Sequence, residues 1–115
     1  MNLVINVELL DDLIILAPTG RLDTDTSTLL EDRVREGVES EKDVMMIEMN
    51  GVDYVSSFGL RVILGAAKKF SAKGGKLILC GLQKDVLNVF RISGFLKILT
   101  VADTRETALE SLSGA

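Results

Sequence analysis

Val44-Met45-Met46-Ile47, then Gly51-Val52-Asp53-Tyr54-Val55-Ser56-Ser57-Phe58-Gly59-Leu60, then Arg61-Val62-Ile63-Leu64: along this stretch the hydrophobic period changes, and the fold follows from that change. Val44 to Ile47 is a short, nearly all-apolar run, the pattern of a central strand covered on one or both faces rather than of an exposed edge. Beyond the loop, Leu60, Ile63, Leu64, Ala67 and Phe70 recur at helical spacing and make one inward stripe. Arg61, Lys68, Lys69 and Lys73 stand off that stripe. Three of them lie near the helix end, where the dipole favours cations, and the plain reading of those lysines is solvation. Gly74-Gly75 terminates the helix. Strand, loop and amphipathic helix in that order form one βα unit.

The same alternation extends in both directions. Upstream, Leu3, Ile5, Val7 and Leu9 alternate with Asn2, Val4, Asn6 and Glu8, which predicts a strand with one apolar face. Asp11-Asp12 reads as a tight turn, and Leu13 to Ala17 as the second strand of an antiparallel hairpin that closes by Gly20. Leu30, Val34, Gly37 and Val38 then mark a first helix, with Thr24, Asp25 or Thr26 as its cap and Glu31 and Arg35 spaced as an i,i+4 pair. Downstream come a strand at Lys76 to Cys80 and a helix at Lys84 to Ile92 with Val86, Val89 and Phe90 inward. Gly94 stops that helix, a short strand follows at Ile98 to Val101, and a last helix carries Ala108, Leu109 and Leu112 inward. Asp103 and Glu106, three apart, suit a reciprocal cap for it. The predicted order is ββαβαβαβα. This is an α/β fold with a mixed sheet, parallel crossovers, packed helices and an antiparallel N-terminal hairpin. A chain of 115 residues holds one such domain, spanning 1–115, and no second.

Composition narrows the chemistry. Thirteen Lys plus Arg against seventeen Asp plus Glu leave a net charge of −4, which argues against a nucleic-acid partner bound through its phosphates. The absence of histidine removes Ser-His-Asp and Cys-His catalysis, the HExxH zinc site and the imidazole proton shuttle. Cys80 is alone, so neither an internal disulfide nor a cysteine metal cluster is available, and its apolar run predicts an inert buried thiol. Met45-Met46 reads as core filling. Neither GxxxxGK[ST] nor GxGxxG occurs, which makes a nucleotide-binding protein a poor rival. No metal or other cofactor is expected. The N-terminus lacks the pattern of a signal peptide and no run approaches about 18 apolar residues, so a cytoplasmic, non-inserted protein is the expectation.

The loop from Gly51 to Leu60 carries the functional signal, because open α/β sheets place their sites at strand C-terminal ends. Ser56 or Ser57 suits the helix N-cap. A phosphate attached there would sit beside free amides and the positive helix end. Asp23 and Asp25 read first as turn or cap residues.

Several pieces in order resemble the STAS domain, and within it the anti-sigma factor antagonists of bacterial partner-switching pathways. They are Thr19-Gly20-Arg21-Leu22-Asp23, the Gly51-Val52 turn, Ser56-Ser57-Phe58-Gly59-Leu60 with Val62-Ile63-Leu64-Gly65 behind it, Gly74-Gly75, and Ile92-Ser93-Gly94-Phe95. The resemblance implies a non-enzymatic module that binds an anti-sigma factor, itself a serine kinase, until one serine is phosphorylated; a serine phosphatase resets it. It assigns the acceptor to Ser57 and the loop aspartate to Asp23, with a docking surface of Asp23, Ser56, Ser57, Phe58, Gly59, Leu60 and Arg61. Ser56 stands where the family commonly has Asp and is a competing acceptor. Phe58 stands where the family has a small residue. The alternative is a constitutively docked STAS subunit of a transporter or stress-sensing assembly. Homodimerisation through an exposed strand edge is a further option.

Overall fold

The computed structural model describes residues 2–113. β1 (Val4–Leu10) and β2 (Leu13–Leu22) form the hairpin, in antiparallel register from Val4↔Thr19 to Leu10↔Leu13. There follow α1 (Ser27–Glu39), β3 (Val44–Glu48), β4 (Gly51–Val55), α2 (Ser57–Ala72), β5 (Lys76–Cys80), α3 (Lys84–Ile92), β6 (Thr100–Ala102) and α4 (Arg105–Ser113). The sheet order is β1-β2-β3-β5-β6, parallel except for the hairpin, and β4 pairs with β2 off this path.

Alternation along the central strands builds two cores. Ile14 and Leu16, Met45 and Ile47, Leu77 and Leu79 face α1, α2 and α3, where Leu30, Val34, Ile63, Phe70, Val86 and Phe90 cover them. Leu13, Ile15, Met46, Ile78 and Cys80 point the other way, under Ala108, Leu109 and Leu112 of α4. A strand buried on both faces must be apolar at every position, which accounts for the unbroken runs at Val44 and Leu77. Phe70 and Phe90 are fully buried. Truncating either to Ala would cost about 3–5 kcal/mol.

Several local expectations are corrected. Gly51–Val55, expected to be loop, is strand β4. β2 has ten residues and β3 five, so the second half of β2 needs another partner for its backbone groups. The chain turns at Met49, whose carbonyl accepts from the Val52 amide at 3.0 Å, and Gly51–Val55 takes that open edge, with a bulge between Gly20 and Arg21. The order is therefore ββαββαβαβα. The last strand is Thr100–Ala102 rather than residues 98–101, because a 3-10 turn at Phe95–Lys97 follows Gly94 and leaves Ile98 exposed. Arg35 pairs with Asp32 and Arg33 with Glu36, so the Glu31–Arg35 pair does not form. Thr26 stands at the N-cap of α1 without a side-chain cap bond. Thr104, not Asp103 with Glu106, caps α4, its hydroxyl accepting from the Thr107 amide at 3.0 Å. Val89 is exposed beside the buried Val86 and Phe90, and Val7 and Leu9 of β1 are exposed as well.

Two cations pin the helices. Lys73 donates from Nζ to the carbonyls of Val38, Ser40 and Lys42 at 2.8–2.9 Å, closing the C-terminal end of α1, so it is not merely a solvated lysine. Arg105 holds Glu48 through Nε and Nη2, each at 3.0 Å, and Glu8 through Nη1 at 3.1 Å, tying α4 to β3 and β1.

Candidate functional site

β2 and β4 end side by side, Leu22 opposite Val55, so the residues following each strand meet at one end of the sheet. The Ser56 amide donates to the Leu22 carbonyl at 2.8 Å and joins the two exits. After Leu22 the chain turns around Asp23. Oδ1 of Asp23 accepts from the Asp25 amide at 3.0 Å and the Thr26 amide at 2.9 Å, while the Thr26 hydroxyl donates to the Arg21 carbonyl. The Thr26 amide chiefly holds the Asp23 carboxyl below the ordinary carboxylate range; partial desolvation opposes it, and the Thr26 hydroxyl, Asp25 amide and Arg21 charge assist. Asp23 thus builds the turn that leads into α1.

Gly59 sets how closely α2 approaches that turn. A Cβ there would lie 3.0 Å from the Leu22 carbonyl oxygen, 3.1 Å from Ser27 Oγ and 3.1 Å from Val55 Cγ1. A side chain at this position would force its neighbours to give by a few tenths of an ångström, so glycine lets the helix start this near the backbone without strain. Ser27 is fully buried here, and its hydroxyl has no hydrogen-bond partner among the described residues.

The two serines divide their work. Ser56 is extended, half-buried, and accepts the Gly59 amide on Oγ at 3.1 Å, the N-cap bond of α2. Ser57 is the first residue of the helix, is exposed, and has no side-chain hydrogen bond among the described residues. Phe58 is half-buried against the main core, with the Arg61 guanidinium 6.0 Å from its ring centroid. Gly59 and Leu60, expected on the docking face, are buried, and their side-chain positions turn inward. What reaches solvent from this helix start is Ser57, part of Phe58, and Arg61. The first turn of the 16-residue α2 has no acidic side chain, so its positive end meets no fixed anion of its own.

The STAS domain profile matches residues 4–108. The chain belongs to the STAS domain family. This STAS domain is 33% identical to BtrV of Bordetella bronchiseptica over 111 residues, 96% of each chain. It is 29% identical to the anti-sigma F factor antagonist of Paenibacillus polymyxa over 113 residues, 97% of each. Among solved structures, SpoIIAA in its unphosphorylated form matches with a TM-score of 0.83 at 19% identity, over 97% of this chain and 98% of that one. The phosphorylated form of the Bacillus protein matches at 0.74 and 18% identity, over 95% and 99%. These two structures establish the shared fold.

One feature beside the serines escapes a reading of the sequence. Arg21 of β2 and Tyr54 of β4 are register partners, and the guanidinium lies 4.0 Å from the ring centroid of the exposed Tyr54. The stack gives this STAS domain a cationic and aromatic patch on the strands that lead into the Asp23 and Ser57 exits. It was hidden in the sequence because Tyr54 falls in a segment that reads as loop. Among the described residues, no helix is long and apolar enough to cross a membrane.

Proposed function

We propose that this STAS domain is an anti-sigma factor antagonist. It holds an anti-sigma factor, itself a serine kinase, on the surface around Asp23, Ser57, Phe58 and Arg61 while Ser57 is unmodified, and releases it when Ser57 is phosphorylated. The module is a cytoplasmic binding switch and not an enzyme. In the switching step the γ-phosphoryl of ATP passes to Ser57 Oγ, the hydroxyl proton goes to a base of the kinase, and ADP leaves. A serine phosphatase hydrolyses the ester with water and restores the hydroxyl.

The observation that carries this reading is the division between the serines: Ser56 spends its hydroxyl on the Gly59 amide, whereas Ser57 presents a free one to solvent at the positive end of α2. The names of the relatives support the partner class, since the Paenibacillus polymyxa protein is an anti-sigma F factor antagonist. SpoIIAA, which has the same fold, is known in phosphorylated and unphosphorylated forms.

The test is labelling by the purified kinase partner with ATP, followed by mass spectrometry of wild type, Ser56→Ala and Ser57→Ala. Label should sit on Ser57 in the first two proteins and be absent from the third. Labelling of Ser57→Ala at the wild-type rate overturns the assignment.

A further inference from the structure

β1 is an outer strand of the sheet: it pairs with β2 on one side and with no strand among the described residues on the other. Such an edge is normally blunted by Lys, Pro, a bulge or a covering element. Val4-Ile5-Asn6-Val7-Glu8-Leu9-Leu10 contains neither Lys nor Pro and pairs with β2 in unbroken register, without a bulge. Val4, Val7, Leu9 and Leu10 are 58%, 51%, 62% and 40% exposed, the main cluster of bare aliphatic side chains on one element. Its one charge, Glu8, is already held by Arg105 at 3.1 Å.

We propose that this edge pairs antiparallel with β1 of a second copy of the chain, about a two-fold axis through Val7, so that two sheets become one. The register follows from the side chains. With Val7 opposite Val7, Ile5 faces Leu9 and Val4 faces Leu10, so every aliphatic residue of the strand meets another on its own side of the sheet. Asn6 faces Glu8, and its amide can donate to a carboxylate that Arg105, shared with Glu48, already contacts at 3.1 Å. Moving the axis to Glu8 sets two carboxylates against each other, and moving it to Asn6 sets Glu8 against Val4. The seven-residue strand therefore has one self-complementary register. A strand pair of this length buries less than the roughly 1,000 Å² of a stable interface, so the dimer forms at high protein concentration. β2 separates β1 from β4, so pairing leaves the Ser57 exit open.

Sedimentation equilibrium of the full chain from about ten micromolar to about one millimolar should show a mass rising from monomer toward dimer, and Val7→Lys should hold it at the monomer. A second measurement fixes the register. Val7→Cys brings two thiols opposite each other with Cα atoms about 4.5–5.5 Å apart, which a disulfide spans, whereas Val4→Cys leaves its thiols about 20 Å apart. Native Cys80 is buried and gives little background. Rapid oxidative dimerisation of Val7→Cys with none of Val4→Cys is the expected result. A monomer at the highest concentration, or equal cross-linking of the two variants, overturns the proposal. Partner binding by Val7→Lys at the wild-type level separates this inference from the Ser57 reading, so either can fail alone.

Discussion

Replacing Ser57 by Asp acts on stability and on binding with opposite signs. On the fold, the carboxylate enters the first turn of a 16-residue helix that has no acidic residue there, while the Ser56 cap bond stays. A negative charge at that position contributes about 0.3–1 kcal/mol, which keeps the melting temperature level or raises it by up to several degrees. On binding, a unit charge facing one partner carboxylate at about 8 Å in an effective dielectric of about 20 costs about 2 kcal/mol, roughly thirtyfold in affinity. A phosphate of charge about −1.5 to −2 costs about 3–4 kcal/mol, a few hundredfold to a thousandfold. Calorimetric titration of the purified anti-sigma partner into wild type and Ser57→Asp, with thermal unfolding in the same buffer, reads both signs. The affinity gap should narrow in high salt, because the site is exposed. An unchanged Kd refutes the electrostatic switch. A loss of binding that tracks a fall in melting temperature refutes it as well, since the variant would then be failing through its fold.

Three other outcomes follow from the same geometry. Ser56→Ala should lose about 1 kcal/mol in urea denaturation and Ser57→Ala less than about 0.5 kcal/mol, and equal losses would mean that the cap is shared. The Cys80 thiol is pushed up to about 11, by burial first and by the Glu48 charge second. At pH 8 a disulfide reagent should therefore label the native protein only at its unfolding rate, and labelling within seconds would contradict the buried position. Because the Asp23 carboxyl sits below its ordinary value of 3.8 in the folded state, it stabilises the fold above that pH, and the contribution disappears as pH falls through the lower folded value. Asp23→Asn should accordingly flatten the acid limb of a stability profile between about pH 5 and pH 2, and an unaltered limb would show that the turn does not feel the charge.

What the sequence makes legible is whatever a single element decides for itself. Leu13 to Leu16, Val44 to Ile47 and Leu77 to Cys80 declare strands through apolar runs, and Leu60, Ile63 and Phe70 declare a helix face. Val52-Asp53-Tyr54-Val55 declares neither, because its two inward valines are three apart across a bulged register and its pairing depends on β2 outrunning β3. Lys73 looks like Lys68 and Lys69 in the sequence, and only the arrival beneath it of the carbonyls of Val38, Ser40 and Lys42, at and just beyond the end of α1, sets it apart. The serine pair is legible in the sequence as a strand-to-helix exit with a capping hydroxyl, but not as a division of roles. Which hydroxyl caps α2 depends on the residue at which the chain leaves β4, a boundary set by the Ser56 amide reaching the Leu22 carbonyl.

Gly59 decides whether that boundary is also a mechanical link between the two exits. An alanine in a helix interior is intrinsically better than glycine by up to about 1 kcal/mol, so Gly59→Ala would stabilise the domain if helix propensity prevailed. Packing opposes this. The added Cβ would meet the Leu22 carbonyl oxygen at 3.0 Å, and that carbonyl is already engaged by the Ser56 amide at 2.8 Å, so a shift of a few tenths of an ångström to relieve the contact strains the bond that joins the loops. Overpacking of this kind costs about 1–3 kcal/mol, which exceeds the propensity gain. The variant should therefore be less stable by about 1–2 kcal/mol in urea denaturation. It should also bind the partner more weakly than its folded fraction explains, because α2 would shift relative to the Asp23 turn. A Gly59→Ala protein more stable than wild type, with undiminished affinity, would show that the two exits move independently and that the surface is not held as one piece.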